Sequence, residues 1–350
     1  VHRFLGDDHA RPGKKIFIKN NKFPELLRKG LSDMILREVD KVEVLTLQDN
    51  FIDLVAMDGT DIIHRANPLD GLEIRNSVLA EHGFSSLIMI TSEGKTKAML
   101  FDFGFSEHGA AHNARILGAD MNTVDAIALS HGHSDHTGGF EQIADMISKD
   151  KRTVEFVAHP GVFTHPRYLK YGEDLKVYFP RFSRELVCNK GFKLVETKDP
   201  YPLLDGNALF LGEIPRLTDF EKGFPIAHYE EDGVERQDPI ADDTSVAMNL
   251  KGKGLVMVSG CAHAGIINTL HHAKSLTGID MVHAVMGGFH LSGALFEPII
   301  DRTIEELKRL DPRYIVPAHC TGRKASLGIE REMPDRFILN MSGTKLIFSS

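Results

Sequence analysis

Four side chains able to bind a metal stand within six residues in the run His131-Gly132-His133-Ser134-Asp135-His136. Imidazole nitrogens and a carboxylate suit a borderline ion such as zinc, and also iron or manganese. Gly132 permits a close turn. His131 and His133 would then project together toward one ion, while Asp135 and His136 reach a second. Two divalent ions side by side, zinc in the first instance, would lower the pKa of a bridging water, giving hydroxide at neutral pH and a clamp for the oxyanion formed on attack. Asp135 would also orient that hydroxide. A solvated His-rich loop is the bland alternative. Four ligand types at this spacing, between an apolar strand and a Gly138-Gly139 helix start, argue against it.

The elements that must position this loop read as strands and helices in both halves of the chain. Strand patterns cover residues 42–47, 86–91 and 98–103, the last two separated by Glu93-Gly94-Lys95 as in a hairpin. Residues 126–129 form a short apolar strand running into Ser130-His131. Apolar positions Phe140, Ile143, Met146 and Ile147 fall at helical spacing. A strand at 154–158 ends in His159-Pro160. The second half repeats the layout: a hairpin at 245–258 running into Gly260-Cys261-Ala262-His263, a helix at 265–276, and a strand at 281–286 ending at Phe289-His290. A helix at 298–310 and a strand at 314–316 ending at Ala318-His319-Cys320 complete it. No repeat in sequence accompanies this likeness. The alternation predicts a layered α/β sandwich with the chemistry at strand ends.

Residues 1–41 read as a peripheral N-terminal extension, with an amphipathic piece at 26–39, and 42–350 as the main domain. Within that domain, residues 160–240, rich in Pro, Gly, Arg and Tyr, read as a lid-like insertion. At 350 residues, with 42% hydrophobic and 26% charged residues, the chain has the composition of a globular protein. A net charge of −8 argues against general nucleic-acid binding. No signal peptide or membrane span is visible. Three widely spaced cysteines, Cys188, Cys261 and Cys320, suit a reducing compartment. The expectation is a cytoplasmic protein acting on a small molecule, phosphorylated in one reading, with a homo-oligomer left open.

The loop Ser130-His131-Gly-His133-Ser-Asp135-His136-Thr-Gly-Gly resembles the signature of the metallo-β-lactamase superfamily. Four further segments narrow the resemblance: Leu79-Ala-Glu81-His82-Gly83, Gly260-Cys261-Ala-His263-Ala-Gly265, Gly287-Gly-Phe-His290 and Pro317-Ala-His319-Cys320. Together they resemble the branch named for the dihydropterin ribofuranosylaminobenzene 5′-phosphate synthase, over residues 42–350. The resemblance implies an αββα fold of two mixed sheets flanked by helices, with a one- or two-metal site at one sheet edge. His131, His133, Asp135 and His136 match its metal loop, and His319 matches its last metal histidine, on the second ion. The segment 245–261 resembles a hairpin that follows a metal histidine and ends at a bridging Asp or a ligand Cys. Here Asp242-Asp243 stands where the histidine is expected, and Cys261 where Asp is commonest.

His263 is the chosen replacement for the missing histidine; its other reading is a helix-start residue binding substrate or backbone. Cys261 reads as a ligand or a small buried thiol, and Asp243 as a ligand or a hydrogen-bond partner of one. His290 is assigned to substrate or proton transfer, against a structural role. His159 and Arg167, with Arg181 and Arg184, are candidates for binding substrate, and His82 carries no spacing signal. Asp49-Asn50 reads as a strand-end turn. Three functions compete: a hydrolase using metal-bound hydroxide on a phosphoester or acyl centre, a synthase-type transferase using a phosphoribosyl donor, and a non-catalytic metal-binding sensor. The ligand set favours hydrolysis on chemistry alone.

Overall fold

The computed structural model of the chain describes residues 36–147 and 153–350. The reading of residues 1–41 as an extension falls, up to position 35, outside the described residues. From there the chain enters the fold directly: Glu38–Val39 pairs in parallel with Ser245–Leu250, and Lys41–Gln48 follows as a long strand.

Two mixed sheets face one another. The first has eight strands, in the spatial order Lys193–Glu196, Glu155–Ala158, Val124–Ala128, Lys95–Phe101, Ser85–Ser92, Lys41–Gln48, Lys345–Ser349 and Ile63–His64. Its hairpin turns on Glu93 and Gly94, both at positive φ (51° and 73°), the two-residue geometry that matches strand twist. The second has seven strands. Its main path runs Tyr201–Leu203, Ala208–Phe210, Ser245–Leu250, Gly254–Ser259, Val282–Gly288 and Tyr314–Ala318. Each sheet is antiparallel through its hairpins and parallel across its last strands.

Alternation within each strand explains why two layers form. In the first sheet Val42, Val44, Ile88, Ile90, Met99, Phe101, Ala126 and Ala128 point one way. They pack against Val246, Met248, Val256, Val258, Ala284, Met286 and Val316 of the second. The intervening residues Leu45, Leu47, Leu87, Leu100, Ile127 and Leu129 point outward to Ala110, Ala114, Phe140, Ile143 and Val187 of the helices Gly109–Ile116, Phe140–Met146 and Arg184–Asn189. Both faces are therefore apolar, as a sheet covered on both sides requires. The second sheet is followed by helices Ile266–Thr277, Ile300–Leu310 and Arg323–Glu332. Ile300, Thr303, Ile304 and Leu307 are the buried stripe of the middle one. Among the described residues no helix is long and apolar enough to cross a membrane.

Residues 160–240 divide their allegiance. Arg167–Tyr171, Leu175–Tyr178, Ala227–Glu231 and Val234–Gln237 make a separate four-stranded antiparallel sheet, whereas Lys193–Glu196, Tyr201–Leu203 and Ala208–Phe210 complete the two main sheets. The weak periodicity of this stretch has a plain cause: Val234–Gln237 is exposed at every position and Leu175–Tyr178 nearly so.

The position of the site follows from this topology. The residues that follow Lys41–Gln48, Lys95–Phe101, Val124–Ala128, Glu155–Ala158, Gly254–Ser259, Val282–Gly288 and Tyr314–Ala318 are Asp49, Asp102, Ser130 to His136, His159, Cys261 to His263, His290 and His319. All lie at one end of the sandwich, and His131 to His136, Cys261 to His263, His290 and His319 cluster there while His159 stands outside the cluster.

Candidate metal centre

The loop after Val124–Ala128 turns so that His133 precedes a one-turn helix, Ser134–Thr137, carrying Asp135 and His136. Gly132 does not sit at positive φ; it is needed for close approach, because a Cβ there would lie 2.4 Å from the Val162 carbonyl oxygen.

Two groups of ligand atoms result, each with its atoms within 4.8 Å of one another: His131, His133 and His263 in one, Asp135, His136, Cys261 and His319 in the other. A third combination, Cys261, His263 and His290, overlaps both. His131 Nε2 and His133 Nδ1 are 3.1 Å apart, His136 Nε2 and Cys261 Sγ 3.2 Å, and His319 Nε2 and Asp135 Oδ2 3.2 Å. Two nitrogen ligands of a tetrahedral ion at about 2.0–2.1 Å stand about 3.3 Å from each other, so these spacings fit metal ions. Both ring nitrogens of His263 and of His290 are buried without a hydrogen-bond partner. Orphaned polar atoms of this kind ask for a ligand.

A second layer of residues fixes these candidate donors. Asp102, fully buried, accepts from Ser130 N and Oγ at 2.7 Å and contacts His136 Nδ1 at 2.7 Å. Ser130 Oγ in turn lies 3.0 Å from His131 Nδ1. One carboxylate thus sets the tautomer of His131 and His136, leaving each Nε2 as the lone-pair side. Asp49 accepts from His319 N at 2.8 Å and from Asn340 Nδ2 at 2.7 Å, while Asn50 Oδ1 lies 3.1 Å from His319 Nδ1. The turn read at Asp49-Asn50 is thus also the support of His319.

The pair Asp242-Asp243, where a histidine was expected, ties the ligand loops together. Asp242 accepts from Gly132 N at 2.9 Å and from both terminal nitrogens of Arg167, at 2.9 and 2.7 Å. Asp243 accepts from Ala264 N at 2.9 Å, next to His263. Arg167, read as a substrate group, is buried between Asp242 and Asp238, with its Nε 2.5 Å from Asp238. His159 likewise has both nitrogens engaged: Nδ1 accepts from Gly161 N at 2.9 Å and Nε2 contacts Glu213 at 2.9 Å. Arg184 pairs with Glu196 at 2.7 Å.

The electrostatics favour a cation. Burial, reinforced by neighbouring imidazoles, holds His131 and His263 well below the usual histidine range and His290 at about 3; burial and Arg167 bring His133 to about 3. These rings are neutral at pH 7 and offer lone pairs. Burial works against charge on His136 too, but Asp102 and Asp135 outweigh it and raise its pKa. Asp135 is held well below the carboxylate range: burial opposes ionisation, and His136, His319 and His82 override it. Burial pushes Asp243 up to about 7. Burial and the neighbouring Cys320, whose sulfur is 3.1 Å away, push the Cys261 thiol up.

His290 stands beside the first group, its ring 4.1 Å from that of His263, and both rings lie against Phe224. His82, set aside on spacing, has Nε2 3.4 Å from Asp135 Oδ2 and its ring 4.6 Å from His319, on the open side of the site. Its segment carried part of the family resemblance but no spacing signal for a site role; the turn that delivers it depends on Gly83, where a Cβ would lie 2.8 Å from Phe105 N. The one signal in sequence for Asp102 was an acidic residue directly following a buried strand.

Comparison with known proteins agrees with this architecture. The sequence profile of the metallo-beta-lactamase superfamily matches residues 81–319. The chain is similar to the 7,8-dihydropterin-6-methyl-4-(beta-D-ribofuranosyl)-aminobenzene-5'-phosphate synthase of Methanocaldococcus jannaschii, 35% identical over 74% of this chain and 87% of the relative. An uncharacterized protein of the same organism is 32% identical over 70% of this chain and 86% of its own length. A solved metal-dependent hydrolase of the beta-lactamase superfamily, Tm1679, shares the fold with a TM-score of 0.66 at 24% identity, covering 88% of this chain and 100% of that one. With two sheets meeting at a His/Asp/Cys centre and a profile spanning most of the domain, the chain belongs to the metallo-beta-lactamase superfamily, in the branch represented by the archaeal synthase.

Proposed function

We propose that this protein is a metal-dependent hydrolase that cleaves a phosphoester or acyl bond with water. The observation that carries the reading is the pair of donor groups sharing one sheet end, one of three neutral imidazoles and one containing the ionised Asp135. His131, His133 and His263 would hold one divalent ion, and Asp135, His136, Cys261 and His319 a second. Zinc suits this set of nitrogen, sulfur and oxygen donors, with iron or manganese as alternatives. Bound there, such ions supply Lewis acidity: they acidify water near neutral pH and neutralise charge developing on the substrate.

The chain's own residues supply the rest. Asp135, at 16% side-chain exposure, is the open member of its group and is ionised at pH 7, so it can orient a water and take its proton. His82 lies between Asp135 and solvent and offers that proton a way out. His290, neutral and with both ring nitrogens unpartnered, would offer an N–H or a lone pair to the group that leaves. Phe224 and Phe296, against the His290 ring at 5.1 and 4.3 Å, exclude water from that side.

A second reading has an observation of its own. The similarity to the archaeal synthase favours a group transfer that joins a phosphoribosyl donor to an aminobenzoate-type acceptor at the same donor groups. The two are separated by offering the metal-loaded protein a phosphodiester, a lactone, and a phosphoribosyl donor with an aminobenzoate. Metal-dependent, chelator-sensitive hydrolysis of either of the first two supports the hydrolase. Pyrophosphate release only when donor and acceptor are both present, with no hydrolysis, would replace it by the synthase.

A further inference from the structure

Beside the metal centre lies a second cavity, of about 460 Å³, walled by Arg216, Lys222, Tyr229, Arg236, Gln237 and Asp238. It is separated from the metal donors by one side chain. Phe224 lines the cavity, and its ring lies 5.8 Å from the His263 ring, nearly parallel at 13°. Lys222 and Gly223 also line the cleft of about 170 Å³ that contains His263 and His290. A ligand in the cavity is therefore a neighbour of the reacting centre.

The charges inside are unevenly balanced. Asp238 is engaged by Arg167, and Arg236 pairs with Glu231 at 3.0 Å. Arg216 makes no ion pair among the described residues: it donates to the Pro239 carbonyl at 2.5 Å, and its Nε is buried without a partner. Lys222 is exposed and likewise has no carboxylate partner among the described residues. Gly223, at φ +83°, lies flat on the Arg216 guanidinium, where a Cβ would come within 3.3 Å of Nε. In a chain of net charge −8, two cations without an ion-pair partner among the described residues line one cavity, Arg216 acting only at longer range on the buried Asp243; with Arg236 and the polar groups of Tyr229 and Gln237 beside them, they mark an anion site. A guanidinium fork and an ammonium together match the oxygens of a phosphate. A cavity of about 460 Å³ has room for a phosphate together with part of the small molecule that bears it.

We infer that this cavity binds a phosphate group of the substrate, anchored by Arg216 and Lys222 with Arg236, so that the reacting bond is presented across Phe224 to the metal donors. The inference rests on the reading of the metal centre as the catalytic site. It names the substrate class as a phosphorylated small molecule with its phosphate held away from the reacting atoms.

The test is calorimetric titration of the full-length, metal-loaded protein with methyl phosphate. Wild type, Arg216→Gln, Lys222→Gln, Asp135→Asn in the metal group, and Lys193→Gln, an exposed cation on the other sheet, are compared. Arg216→Gln and Lys222→Gln should each weaken binding by about fivefold to tenfold; Asp135→Asn and Lys193→Gln should retain it. Because Lys222 is exposed, its variant cannot fail merely by unfolding. Absence of binding by wild type overturns the inference. So does binding that is unchanged in Arg216→Gln and Lys222→Gln but lost in Asp135→Asn, which puts the phosphate on the metals. Failure of the catalytic reading shows elsewhere, as wild-type protein that neither holds metal nor hydrolyses any ester.

Discussion

Replacing Asp102 by Asn tests how far one buried carboxylate governs the whole centre. The substitution keeps shape and removes charge. Asn can still accept from Ser130 N at one end. Its amide NH₂ then faces Ser130 Oγ and His136 Nδ1, both 2.7 Å from the present Oδ2. His136 must change tautomer and turn an N–H toward Cys261, or lose its partner. Ser130 loses its acceptor and with it the fixed contact to His131 Nδ1 at 3.0 Å. Loss of an outer-shell partner typically costs about tenfold to 100-fold in metal affinity, or about 1.4 to 2.8 kcal/mol. The larger effect should fall on the group containing His136. Ser130→Ala should show the reverse order, because only the support of His131 is removed directly. The assay is competition for zinc against a chromogenic chelator, with circular dichroism to verify folding. Asp102→Asn protein that is folded and binds both ions within about twofold of wild type would refute the reasoning.

Three further outcomes follow from the geometry. Gly132→Ala should lower the melting temperature and weaken metal binding, because its Cβ would meet the Val162 oxygen at 2.4 Å; overpacking of this kind costs about 1–3 kcal/mol. Asp242→Asn should cost about 3 kcal/mol at neutral pH by leaving buried Arg167 half-compensated. Arg167 holds the folded Asp242 well below the usual carboxylate range against the pull of burial. Its contribution is therefore present above the unfolded pKa of about 3.9 and lost as pH falls through the folded value, so chemical denaturation should show the gap between wild type and variant closing only below about pH 4. In cobalt-substituted protein, Cys261→Ser should abolish a sulfur-to-cobalt charge-transfer band in the near ultraviolet; a band that persists would assign the sulfur to Cys320 or exclude Cys261 as a ligand.

The loop from His131 to His136 was legible because its candidate donor atoms come from one contiguous turn, and strand ends pointed to Cys261, His263, His290 and His319, which the fold brings beside it. Period-two patterns in strands such as Ser85–Ser92 and Gly254–Ser259 sufficed to place two sheets. What escaped was set by which strands lie side by side. Asp102 reaches Ser130 because Phe101 pairs with Ala128 in a parallel ladder, a relation no local pattern encodes. The Asp242-Asp243 pair looked like a gap in the ligand set; its work, binding Arg167 and two loop amides, depends on partners 75, 110 and 21 residues away. Arg167 looked free for substrate for the same reason. The cations facing the second cavity, Arg216 and Lys222, stand in an irregular stretch without periodic signal.

The most direct measurement is metal content per chain, by elemental analysis of wild type and His263→Ala prepared in parallel without added metal. The expected result is about two ions in wild type and about one in the variant, since His131 and His133 alone leave the first ion with two protein ligands. Well-folded wild type with almost no metal would contradict the metal-dependent mechanism. A variant that keeps the full complement would show that His263 does not hold the first ion and would shift that role to Asp243, Cys261 or His290.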